Sequence, residues 1–185
     1  VSERISTAIF SPNSNYILTI NENNTCNLWD LQGKLIATFG GWLSGHSKSI
    51  NSACFSNDGN YVLTSSNDET AKLWSIDGKE LATLKGHNTV IKNAIFSPNG
   101  SKILTFGWDR TAKLWDLNGV IIKDLIGHTG SITSGLFSPD GLNMLTSSDD
   151  KTAKIWDSNG TIVTNLQGHE SGINSVSYSP DAKFI

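Results

Sequence analysis

The chain has 185 residues, 37% of them hydrophobic, with 17 Gly against 4 Pro and a formal net charge of −3. This is an ordinary globular composition, and no apolar run approaches the roughly 18 residues of a membrane helix. No Lys/Arg cluster is present to neutralise phosphates, so neither nucleic acid nor a membrane is expected as a partner.

In chain order, residues 1–44 begin inside a strand, turn at Pro12, pass Trp29 and Gln32-Gly33, and end in the stretch Gly40-Gly41-Trp42-Leu43-Ser44. Residues 45–85 show one full unit: Gly45-His46, an apolar strand Ile50–Phe55, a Ser-Asn-Asp-Gly turn, and a β-rich strand Tyr61-Val62-Leu63-Thr64. A polar turn, Thr70-Ala71-Lys72-Leu73-Trp74, an Asp77-Gly78 turn and a fourth strand Leu81–Leu84 complete it. Residues 86–126 and 127–167 repeat this plan, with first strands Ile91–Phe96 and Ile132–Phe137 and fourth strands Ile121–Leu125 and Ile162–Leu166. Residues 168–185 hold a first strand and the opening of a second, stopping at Phe184-Ile185. The prolines Pro12, Pro98, Pro139 and Pro180 share one turn position, where a fixed φ helps and no ladder N–H is lost. Gln32-Gly33, Asp77-Gly78, Asn118-Gly119 and Asn159-Gly160 predict tight two-residue hairpins.

The Gly-His pairs at Gly45, Gly86, Gly127 and Gly168 recur every 41 residues. Trp29, Trp74, Trp115 and Trp156 step by 45, 41 and 41, the longer interval absorbing the insertion around Trp42. A fixed period of this length marks stacked supersecondary units. The pattern Gly-His … Ser-Pro-Asp-Gly … Asp-Xaa-Thr-Ala-Lys-Leu-Trp-Asp resembles the WD-repeat family across essentially the whole chain. The near-identity of the units resembles its bacterial, particularly cyanobacterial, members. The resemblance implies an all-β propeller segment of four complete four-stranded blades plus the first strands of a fifth, an excerpt of a propeller of six to eight blades. It implies a non-catalytic protein-interaction scaffold that binds a protein or peptide partner without a cofactor. A regulatory propeller of a larger signalling or nucleotide-binding protein is a close variant, and an enzyme with a site in the propeller channel a distant one. The open edges of an excerpt would allow self-association. Two departures stand out: Trp74-Ser75 lacks the signature Asp, and Asn23 replaces the Asp of the other units.

A His, an Asp and a hydroxyl recur together as His46/Asp68/Thr64, His87/Asp109/Thr105 and His128/Asp150/Thr146, each with a Trp (Trp74, Trp115, Trp156). A hydrolase triad would be built once, from a nucleophile on an elbow such as Gly-Xaa-Ser-Xaa-Gly. A set repeated in every unit, with its hydroxyl in mid-strand, reads instead as the family's structural relay from indole N–H to Thr, His and Asp. One His per blade is too sparse for a metal site. Cys26 and Cys54 lie in apolar segments and read as buried free thiols in preference to a disulfide, and with no secretory leader visible the expected location is cytoplasmic.

The same resemblance places the Gly-His loop and the Asp turn on one rim of the propeller, where partner peptides lie. Two positions per blade would face a partner there: the residue before the turn Asp (Glu22, Asn67, Trp108, Asp149) and the residue after the Ile opening the first strand (Ser6, Asn51, Lys92, Thr133, Asn174). Trp42 and Trp108, the two Trp outside the repeated core position, fall on loops of that rim. Exposed Trp is a favoured hot-spot residue, and a stacking platform for a glycan is the competing use.

Overall fold

A computed structural model of the protein describes residues 4–40, 45–179 and 181–185; Trp42 and Pro180 lie outside the described residues. It is all-β, with four antiparallel sheets of four strands, each an up-and-down meander in sequence order. The first comprises β1 (Ile5–Phe10), β2 (Tyr16–Asn21), β3 (Cys26–Asp30) and β4 (Leu35–Phe39). The second comprises β5 (Ile50–Phe55), β6 (Tyr61–Ser66), β7 (Thr70–Ser75) and β8 (Glu80–Lys85). The third holds β9 (Ile91–Phe96), β10 (Ile103–Gly107), β11 (Thr111–Trp115) and β12 (Ile121–Ile126), and the fourth β13 (Ile132–Phe137), β14 (Asn143–Ser148), β15 (Ala153–Asp157) and β16 (Ile162–Leu166).

Turn chemistry sets each sheet. Between its first and second strands a Ser closes a short loop: in the second sheet Ser56 Oγ donates to Asp58 Oδ1, and Gly59, at φ +73°, donates its N–H to Ser56 O. Between the third and fourth strands the expected two-residue hairpin is not formed. Only the glycines Gly33, Gly78, Gly119 and Gly160 have positive φ there, whereas a type I′ turn needs it at both central residues. The loop is instead a type I turn followed by a left-handed Gly, with the register shift that goes with it. The carboxylate after the core Trp causes the difference. Asp116 Oδ1 accepts the N–H of Asn118 and of Val120, which holds the intervening residues right-handed. In the second sheet Ser75 stands in its place, its hydroxyl donating to Asp77 and to Lys79 O.

The core lies between sheets, not within them. Leu18, Leu28 and Phe39 of the first sheet pack with Ile50, Val62 and Trp74 of the second. Leu63, Leu73 and Leu84 pack with Ile91, Ile103 and Trp115, and Leu104, Leu114 and Leu125 with Ile132, Met144 and Trp156. Each Trp thus anchors its blade to the blade before it. At ~25 cal/mol per Å² and ~200 Å² per ring, each burial contributes about 5 kcal/mol. A single unit could not bury this surface alone, so stacking is obligatory.

First strands of successive units lie side by side without a shared backbone ladder, and side chains bridge them. Asn51 Nδ2 donates to Ile91 O at 2.9 Å, the Ala94 N–H to Ser52 Oγ at 3.3 Å, and Cys54 Sγ to Ala94 O at 3.4 Å. The expected opening of a fifth blade follows this path but forms no strand among the described residues of 168–185. Ile173 donates its N–H to Ser148 O and packs with Val176 and Tyr178 against Leu145 and Ala153. A first strand takes its ladder from the second, and among the described residues here only Ser179 and Phe184 meet across the turn.

Candidate partner-binding rim

Three of the four sheets carry the relay. In the second, the Trp74 indole N–H donates to Thr64 Oγ1 at 2.9 Å, His46 Nε2 lies 2.8 Å from that oxygen, and His46 Nδ1 lies 3.0 Å from Asp68 Oδ2. The directions follow from the ends of the chain. An indole can only donate and an ionised carboxylate only accept, so Thr64 donates to Nε2 and the imidazole carries its proton on Nδ1. The third sheet repeats this through Trp115, Thr105, His87 and Asp109, with 2.8, 2.7 and 2.6 Å. The fourth does so through Trp156, Thr146, His128 and Asp150, with 2.8, 2.9 and 2.8 Å. Among the described residues the first sheet keeps the Trp29 bond to Thr19, at 2.9 Å, without the His bonds, and Asn23 Oδ1 receives Thr25.

Burial alone would raise the Asp68 carboxyl. Hydrogen bonds from His46, Thr70 and the Ser47 N–H outweigh it and hold the group well below the usual carboxylate range. Asp150 and Asp109 are held down in the same way against their burial. Burial depresses His128 more than Asp150 raises it, so its imidazole stays neutral. Burial pushes the thiol of Cys54 up to about 12 and raises Cys26 further, and both are free.

The rim residues meet elsewhere. Asn51, Asn67, Lys92, Trp108 and Thr133, drawn from three successive units, line one open cavity of about 610 Å³. Asn51 Nδ2 bonds Asn67 Oδ1 at 2.8 Å, fixing one wall. Thr133 Oγ1 bonds Ser147 and Ile173 O, fixing the opposite one. Trp108 is 60% exposed, and Lys92 makes no ion pair among the described residues. Asp149 is exposed and occupies the equivalent place one unit further on, its N–H bonded to Ser131 O as that of Asn67 is to Ser49 O. It does not line the cavity. Ser6 and Glu22 face a smaller hollow of about 410 Å³ between the first two units.

Three residues outside the rim positions shape this cavity. Its floor includes Phe106, 1% exposed, at a position held by Ser65 and Ser147 in the neighbouring units. Its ring fills the space a side chain would need at Gly135: a Cβ there would lie 2.8 Å from Phe106 Cε1. The equivalent residues are Ala53 and Ala94. At Gly107 a Cβ would lie 2.0 Å from Val90 O, so the strand end approaches that loop more closely than a side chain permits. The Trp108 N–H bonds Val90 O at 3.1 Å, as Asn67 and Asp149 bond Ser49 O and Ser131 O behind Ser66 and Ser148. In the second unit the Ser66 hydroxyl instead donates to Lys48 O, one residue before the counterpart of Val90. The segment Phe106-Gly107-Trp108, where the second unit reads Ser65-Ser66-Asn67 and the fourth Ser147-Ser148-Asp149, is the sequence signal for Phe106 and Gly107; Gly135 shows in the sequence only as a Gly where the preceding units have Ala.

The family model for WD40 (WD domain, G-beta repeat) matches residues 2–30, 33–75, 78–116, 119–157 and 160–185. No curated protein sequence matches the chain.

Proposed function

The chain belongs to the WD-repeat family, and we propose that it is a non-catalytic interaction module that holds a peptide segment of a partner protein across the cavity between its second, third and fourth units. Domains of this family are generally protein-interaction scaffolds. The observation that carries the reading is convergence. Five residues at positions that vary from unit to unit line one concavity, with an exposed Trp on its lip. The His, Asp and Thr sets do not compete for the role. Thr64, Thr105 and Thr146 are fully buried and their hydrogen bonds are spent on His and Trp, so no substrate carbonyl reaches them. The two free thiols support a reducing compartment.

The test is affinity capture of partners by the wild-type chain and by Trp108→Ala. Loss of a captured protein with an unchanged melting curve is the expected result. Capture that survives Trp108→Ala, Lys92→Ala and Asn51→Ala alike would place binding elsewhere.

A further inference from the structure

Resting on that reading of the site, we propose that the cavity selects an acidic peptide, one in which a bulky apolar side chain stands next to or near a carboxylate. The charge pattern is the first ground. The chain as a whole is acidic, with a net charge of −3. The cavity lining nevertheless contains Lys92 and no Asp or Glu. Lys92 is exposed and forms no ion pair among the described residues, so its charge is available to a ligand. The other units have uncharged Ser6, Asn51, Thr133 and Asn174 at this position.

The apolar component is the second ground, and it is independent of the charge. Phe106 and Val90 join Trp108 in the lining, where the second and fourth units have Ser at the position of Phe106. The third unit has exchanged a serine pair, seen as the Ser52–Ser65 bond in the second, for an aromatic floor. A site that only bound backbone would keep the hydroxyls; an aromatic floor beside an exposed indole accepts an apolar side chain. Asn67, Asn93 and Ser134 supply polar groups around it for the peptide backbone. A neutral glycan could stack on Trp108, but it would leave Lys92 without a counter-charge.

The experiment selects a random twelve-residue peptide library displayed on phage against the full chain, then measures the best synthetic peptide by fluorescence anisotropy. The expected result is enrichment of peptides pairing Phe, Leu or Trp with Asp or Glu. Their affinity should fall about tenfold with Lys92→Glu, and partly with added salt. It should fall about tenfold or more with Trp108→Ala. Changing the peptide's acid to Lys should weaken binding to the wild type and restore it to Lys92→Glu. Peptides that depend on Trp108 but carry no acid, or ignore Lys92→Glu, overturn this inference and leave the proposed function standing. Binding of maltohexaose at Trp108 in preference to any peptide also overturns it. Selected peptides that none of the rim substitutions weaken, or no selected peptides at all, overturn the proposed function itself.

Discussion

Adding one methyl group at Gly135 should destabilise the protein, and removing the Phe106 ring should reverse the sign of that change. The added Cβ would lie 2.8 and 2.9 Å from two ring carbons of Phe106, against the ~3.5–4.0 Å of carbon–carbon contact. The ring is buried, with one side on the cavity. Overpacking of this kind costs about 1–3 kcal/mol, while replacing Gly by Ala recovers ~0.4–1 kcal/mol by stiffening the unfolded chain. Gly135→Ala should therefore cost about 1–2 kcal/mol. Phe106→Ser alone empties the space and should cost about 3–5 kcal/mol. In that background the pair becomes Ser and Ala, as Ser65 and Ala94 stand one interface earlier, and Gly135→Ala should stabilise by ~0.5 kcal/mol or more. Urea denaturation of the four proteins, followed by Trp fluorescence, gives the cycle. Costs that add within ~0.5 kcal/mol would refute the coupling, because independent sites behave that way. The same sign for Gly135→Ala in both backgrounds would refute the steric origin.

The relay can be tested by Thr146→Val, which leaves the Trp156 N–H and His128 Nε2 buried without their partner; about 2–4 kcal/mol should be lost. Thr19→Val, where only Trp29 depends on the hydroxyl's acceptance among the relay groups, should lose less, and equal losses in urea melts would contradict the chain of bonds. Stability should fall in two stages on acidification. An unfolded His takes its proton near pH ~6.5 while the depressed folded His128 does not, so loss begins as pH drops below that value. The depressed carboxyls of Asp68, Asp109 and Asp150 contribute stability above about pH 4, lost progressively below it. A melting temperature that is flat from about pH 7.5 to 4 would contradict the first stage, and one that does not fall further below about pH 4 would contradict the second. Trp108→Ala should change stability by no more than ~0.5 kcal/mol, whereas Trp115→Ala should cost about 3–5 kcal/mol, since only the latter ring is buried. Cys26 should ignore a thiol reagent until denaturant is added, because it is fully buried, while half-buried Cys54, its thiol also raised by burial, should react before it but more slowly than an unfolded thiol.

Much of the fold is legible in the sequence because each unit states the same periods again: the first strands Ile50–Phe55, Ile91–Phe96 and Ile132–Phe137 stand where the apolar runs stand. The Asx-Gly turns are less legible. A dipeptide such as Asn118-Gly119 fits a two-residue hairpin, and the choice was made two residues earlier, by the Asp116 carboxylate. Five rim residues converge because position in the repeat is position in space. The pairing of Phe106 with Gly135 escapes that logic: each departure is visible within its own unit, but the fit between them across units is displayed only by packing. The last segment, Ile173–Tyr178, shows the converse, since its sequence repeats a first strand and its backbone lacks the ladder that makes one.

Hydrogen-bond capacity explains why recognition falls to the irregular residues. Asp68 Oδ2 accepts His46 and the Ser47 N–H, and Oδ1 accepts the Thr70 N–H and hydroxyl, which fills all four of its acceptor sites. His46 spends both ring nitrogens, and Thr64 both accepts from Trp74 and donates to His46. The repeated set has no proton left for a ligand, and its one spare lone pair, on each Thr hydroxyl, is fully buried. Affinity must come from positions the relay does not use, and those are the positions where units differ. Yet such a position is not free to change alone. The aromatic floor at Phe106 requires Gly135 on the next unit and sits beside Gly107, where the backbone approaches Val90 O too closely for a Cβ. A new specificity in one blade is therefore a change in two, and Gly135→Ala should disturb binding at Trp108 although it touches no ligand.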